Sequence, residues 1–127
     1  MILDSDILIW YLRKDPAAAA FIDKVPLAER NISTLSYLEV LYGCRKKSDL
    51  SEWLKFASRF FAEVIPLTEA MSRSAQQLME QFVLARRLSA SDALIAATAV
   101  VRRETLATGN LKHFDFIPGL AVKLFRR

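Results

Sequence analysis

A chain of 127 residues, 53% hydrophobic with only three glycines and four prolines, is long enough for one packed domain and too apolar for a disordered one. Its single cysteine excludes an internal disulfide framework, and no uninterrupted apolar run approaches the ~18 residues needed to span a bilayer. The formal charge of +4 leaves a mildly basic surface suited to a polyanion such as nucleic acid, and a start that turns acidic so early is unlike a signal peptide, so a cytoplasmic protein is expected.

In chain order, Ile2-Leu3 reads as a short buried strand, and Asp4-Ser5-Asp6 then opens an apolar helix that ends near Arg13-Lys14. Cations there complement the helix dipole. Pro16 suits the first turn of a second helix, running to about Lys24. Arg30 to Ser33 reads as a strand leading into Ser36, and a helix over Tyr37–Leu41 stops at Gly43. Beyond a basic loop, Arg45–Asp49, the residues Leu54, Ala57, Phe60 and Phe61 recur at helical spacing within a helix over 50–61. Glu63–Leu67 is a strand, and Thr68 caps a long helix from Glu69 to Arg87. Ser89-Ala90-Ser91-Asp92 opens the next helix, apolar almost all round through Val101 and therefore buried. Strands over Thr105–Thr108 and Leu120–Phe125 close the chain, with the Gly109-Asn110 break and a turn or short helix through Phe116 between them. Short buried strands alternating with helices predict one α/β domain over residues 1–127, a three-layer α/β/α sandwich with a short, mostly parallel sheet.

Four polar points stand out in this pattern: Asp4, Glu39, Asp92 and the Thr108-Gly109-Asn110 turn. In a parallel sheet, positions just after strands and in the first turns of the following helices converge on one rim. Three carboxylates gathered there repel one another, and binding Mg²⁺ or Mn²⁺ relieves the repulsion. The chemistry that follows is hydrolysis of phosphodiesters. A purely local reading competes with this. Ser36-x-x-Glu39 and Ser89-x-x-Asp92 both match the capping box, in which the acid satisfies backbone N–H groups. Asp6 reads as the N-cap of the first helix, whereas Asp4 has no comparable capping role. His113, the only histidine, reads as a surface or packing residue.

The blocks that carry these acids resemble a known family. The opening Met-Ile-Leu-Asp-Ser-Asp-Ile-Leu-Ile is similar to the start of PIN-domain proteins. Ile32–Gly43, Leu88–Ala99 and Leu106–Phe114 resemble the next three blocks in order, and Ile117-Pro118-Gly119-Leu120 the usual ending. Size and ending look most like the VapC-type toxins of bacterial toxin–antitoxin pairs. The resemblance implies a metal-dependent endoribonuclease that cuts structured RNA such as transfer or ribosomal RNA, using Mg²⁺ or Mn²⁺. Asp4, Glu39 and Asp92 would be its acidic core and metal ligands. Asn110 falls where many relatives carry a fourth acid; its amide oxygen is a weaker candidate ligand or a supporting group, which predicts one firmly held ion and a weaker second. Ser5, Asp6, Thr108 and Asp115 are supporting candidates, with Asp6 and Asp115 expected outside the set that touches the metal. The resemblance also implies a cognate VapB-type antitoxin, a homodimer and a larger toxin–antitoxin complex.

Arg13, Lys14, Arg45–Lys47, Arg86, Arg87 and Lys112 are candidates to hold phosphates. The aromatics of the early helices, Trp10, Tyr11, Tyr37, Tyr42, Trp53, Phe56, Phe60 and Phe61, are mostly core, with a surplus that could form a groove for a partner helix. Two rival readings stand beside this one. Asp4-Ser5-Asp6 matches the D-x-D of haloacid-dehalogenase-like phosphatases, but their later G-D-x-x-x-D element is missing. A catalytically silent PIN-like module that only binds RNA or protein is the other.

Overall fold

The computed structural model describes residues Met1–Arg127. Five strands, β1 (Ile2–Leu3), β2 (Asn31–Ser33), β3 (Glu63–Ile65), β4 (Leu106–Thr108) and β5 (Val122–Leu124), form one sheet in the order β3-β2-β1-β4-β5. Every neighbouring pair is parallel. Six helices surround it: α1 (Ser5–Leu12), α2 (Pro16–Asp23), α3 (Thr34–Gly43), α4 (Lys47–Phe60), α5 (Glu69–Arg86) and α6 (Ala90–Arg102). No helix is long and apolar enough to cross a membrane.

Strand parity builds the two cores. Successive strand side chains point to opposite faces. Ile2 and Leu106 are register partners and join the core beneath α5 and α6, with Ile65, Met71 and Ile95. Leu3 and Ala107, the next register pair, join the other core with Ile7, Ile22, Val40 and Trp53. The result is the three-layer sandwich that the alternation of strands and helices predicts.

The order of connections decides where a ligand can sit. From β1 the chain passes through α1 and α2 to β2 on one side, then on to β3. It then returns through α5 and α6 to β4 on the opposite side of β1. Connections therefore diverge at the carboxyl ends of β1 and β4, and a crevice opens at such a switch point. Asp4 follows β1 there, and Thr108 ends β4.

Several local boundaries differ from the sequence reading. Asp4, not Asp6, is the N-cap of α1; its side chain accepts from the Ser5 N–H, and Asp6 lies in the first turn. Ser33, not Ser36, caps α3 by accepting from the Ser36 N–H, so Glu39 falls in the second turn of that helix and plays no part in a capping box. The basic loop is shorter than expected: α4 begins at Lys47, and the Asp49 carboxylate accepts from the Arg45 N–H. Thr68 and Ser89 cap α5 and α6 as expected, accepting from Met71 N–H and Asp92 N–H. Those two helices end on Arg87 and Arg103 in the left-handed conformation.

Candidate active site

Asp4 is the centre of the site. It is 5% exposed, and two hydroxyls converge on it. Thr108 Oγ1 donates to Asp4 Oδ2 at 2.8 Å, and Ser36 Oγ lies 3.5 Å from Asp4 Oδ1. Burial, and next the nearby Asp6 carboxylate, push the Asp4 carboxyl from its ordinary 3.8 up to about 7, despite the Thr108 and Ser5 hydrogen bonds. A carboxylate this deep with no cation beside it favours its neutral form.

Asp6 joins the same cluster instead of capping α1. Its Oδ2 accepts from the Gly109 N–H at 2.8 Å and from Asn110 Nδ2 at 3.3 Å. Burial raises its pKa, opposed by the backbone N–H groups of Gly109 and Ile7. The contact explains the glycine. A Cβ on Gly109 would lie 2.7 Å from Asp6 Oδ2, so any larger residue displaces the carboxylate. Asn110 therefore holds an acid, and its N–H is itself held by Thr108 Oγ1 at 3.0 Å.

Glu39 reaches the cleft from α3 and accepts from the Ser5 hydroxyl at 3.1 Å. Burial raises its pKa against that hydrogen bond, with Asp92 and Asp6 adding repulsion. Asp92 comes from the first turn of α6, with its side chain 21% exposed and its Oδ2 3.0 Å from His113 Nδ1. The histidine is thus not simply a surface residue: it touches one of the four acids. Asp115 is exposed and makes no hydrogen bond or ion pair with any of them, so it does not join the cluster.

As they stand, no three His, Cys, Asp or Glu side chains converge closely enough to form a ready-made metal-binding group. The donor chemistry nevertheless fits a hard divalent cation. Asp4, Asp6, Glu39 and Asp92 offer only oxygen and repel one another, and the first three have raised proton affinities. Such a cation would replace the protons these groups otherwise favour.

With this geometry in view, the comparisons with known proteins are decisive. The family model of the PIN domain matches residues 1–117. The chain is a PIN-domain protein. Among PIN domains it sides with the VapC branch. It is 36% identical over 125 residues to Ribonuclease VapC10 of Mycobacterium tuberculosis, covering 94% of this chain and 90% of that protein. Its fold matches a toxin–antitoxin complex from Klebsiella pneumoniae with a TM-score of 0.82 at 26% identity, covering 99% and 98% of the two chains. VapBC2 from Rickettsia felis, solved bound to a promoter DNA fragment, matches with a TM-score of 0.81 at 25% identity over 98% of each chain.

The PIN domain's cleft has neighbours that sequence spacing did not bring out. Trp10, Phe125, Arg126 and Arg127 line a cleft with Asp6 and Asn110. Most of the early aromatics pack inward, as expected. Tyr37, Trp53, Phe56 and Phe61 form part of one cluster, and Tyr42 alone among the named rings is nearly free at 91% exposed.

Proposed function

We propose that this PIN domain, one domain over residues 1–127, is a metal-dependent endoribonuclease toxin. Its substrates are structured RNAs, transfer or ribosomal, and a cognate VapB-type antitoxin silences it in the cytoplasm. The observation that carries the reading is the gathering of the partly buried Asp6, Glu39 and Asp92 about Asp4, itself 5% exposed, with its carboxyl pushed up to about 7. The repulsion within that cluster is relieved when a divalent cation binds. Relatives named ribonucleases support an RNA substrate, and similar solved structures that are toxin–antitoxin or VapBC complexes support an antitoxin partner. A homodimer, and a larger assembly with antitoxin, belong to the same reading.

Asp4, Glu39 and Asp92 would hold the cation, Mg²⁺ or Mn²⁺, and Asp6 would add charge from beside them. When bound, that ion supplies charge stabilisation to a phosphoryl group and lowers the pKa of water. The chain's own residues do the rest. Thr108 and Ser5 fix the rotamers of Asp4 and Glu39, so the oxygens that meet substrate are preorganised. Hydrolysis forms a bond from a water oxygen to phosphorus and breaks the bond to the leaving ribose oxygen. A carboxylate of the cluster takes the water's proton and the leaving ribose oxygen takes one from solvent; Asp6, beside the cation and not on it, has a proton affinity raised by burial that suits it to that exchange. Asn110 adds no charge, so a second ion would be held weakly.

The alternative, a catalytically silent binding module, draws on that same Asn110 and on the lack of a ready-made three-acid group. Total cellular RNA incubated with the purified, partner-free protein separates the two. Discrete fragments that require Mg²⁺ or Mn²⁺, vanish with chelator and vanish in Asp4→Asn, Glu39→Gln and Asp92→Asn support the nuclease. Intact RNA with folded protein that still binds it supports the silent module.

A further inference from the structure

Beside the acids lies a cleft of about 450 Å³ whose walls combine an acid, an indole and two arginines. That volume falls in the ~300–1,000 Å³ range of small-ligand pockets. Asp6 and Trp10 are four residues apart on α1, a spacing that places both on one helix face. The chain leaving β5 brings Arg126 and Arg127 to the same cleft.

Arg127 is held there from two sides. Its guanidinium carbon sits 3.3 Å from the centroid of the Trp10 ring, and its Nε lies 3.5 Å from Asp15 Oδ1. Asp15 is itself fixed, because its other oxygen caps α2 at the Ala18 N–H. Arg13 adds a second guanidinium 5.4 Å from the same ring. The result is a flat, positively charged guanidinium held on an indole, with its side chain still 51% exposed. It is the kind of surface on which an unpaired base stacks, since bases stack on arginine planes as well as on aromatic rings. Arg126, exposed at the same mouth, is placed to meet the phosphate.

Resting on the nuclease reading above, we infer that this cleft is a nucleotide subsite: the Trp10–Arg127 pair stacks one unpaired base of a single-stranded RNA segment beside the cleavage point, and Arg126 holds its phosphate. Through Asp6, which belongs both to this cleft and to the acid cluster, the stacked base sets which phosphodiester reaches the acids. Trp10, Arg126 and Arg127 are therefore positioning residues, not catalytic ones.

The test is binding of a labelled single-stranded oligoribonucleotide in chelator, so that nothing is cut, beside the same oligomer carrying abasic residues. The wild-type protein prefers the base-bearing strand by about tenfold, the order of one base–aromatic stack. Trp10→Ala and Arg127→Ala abolish that preference. Arg127→Lys, which keeps the charge and loses the plane, abolishes it too. Arg126→Ala keeps the preference and lowers the slope of log affinity against log salt by about 0.7, the share of one phosphate contact on a single strand. The inference is overturned if the wild type binds both strands equally, or if Arg127→Ala, with an unchanged melting temperature, retains the preference. Cleavage is scored separately with metal present. A wild type that prefers bases but never cuts sinks the nuclease reading and leaves the subsite standing, while one that cuts without the preference does the reverse.

Discussion

Thr108 donates its hydroxyl to Asp4 at 2.8 Å, joining the ends of two neighbouring strands across 104 positions of sequence. The bond has its full effect only when Asp4 is charged, because it stabilises the carboxylate against its burial. Thr108→Val keeps the shape and removes the donor. A hydrogen bond to a charged group contributes about 1.5–3 kcal/mol, so Mn²⁺ affinity measured by calorimetry should fall by about tenfold or more. Thr108→Ser should retain most of it. Equal losses in both variants would trace the effect to packing instead.

The raised carboxyls set how stability depends on pH without metal. Asp4 is pushed from 3.8 to about 7, chiefly by burial and then by Asp6. Between those values the folded protein holds a proton that the unfolded chain has released. Stability must therefore fall as pH rises from about 4 to about 7, and level off above. Asp6 and Glu39 are shifted in the same direction, mainly by burial, and add to the slope. In chelator the melting temperature should drop across that window, Asp4→Asn should flatten the curve, and Mg²⁺ should recover the loss at pH 7 and above. A metal-free melting temperature that climbs over the same range would contradict the burial of these acids.

His113 lies against Asp92 at 3.0 Å, but its side chain is 57% exposed. A contact so open to water is weak, about 1 kcal/mol or less. His113→Ala should slow RNA cleavage by about fivefold, far less than Asp92→Asn. His113→Asn, whose amide can donate from a similar position, should recover part of it. A loss as large as that of Asp92→Asn would make the histidine a direct participant.

Trp53 is 1% exposed among Tyr37, Phe56 and Phe61, yet its Nε1 has no hydrogen-bond partner. Trp53→Ala should cost about 3–5 kcal/mol in urea unfolding, the usual range for emptying a large aromatic site. Trp53→Phe keeps a ring and removes the unpartnered donor, so its cost should be much smaller. Similar losses in the two variants would mean that ring size alone decides.

The sequence was most informative where the signal was local. The Thr68 and Ser89 caps, the apolar α6 and the parallel alternation of strands and helices all depend on residues within a few positions of one another. Errors arose where a local pattern had two valid phases. Asp4 and Asp6 both suit a cap, as do Ser33 and Ser36, and tertiary contacts chose between them. The site's supporting residues were hardest to read, because their partners are distant in sequence. Gly109 was legible as a turn, but its reason, the carboxylate of Asp6, lies 103 residues away. His113 beside Asp92 and Arg127 on Trp10 are joined only by the fold.

Because β1 is only two residues long, the position of Asp4 follows from odd and even numbering. Ile2 faces one core and Leu3 the other, and the next residue is already at the rim. Inserting one residue between Leu3 and Asp4 would carry the carboxylate past its hydroxyl partners. Inserting one before Ile2 would leave the spacing intact. The stretch is thus a frame-sensitive word: its length, more than the identity of its aliphatics, keeps the acid where it is, and a library of single-residue insertions would read that frame directly.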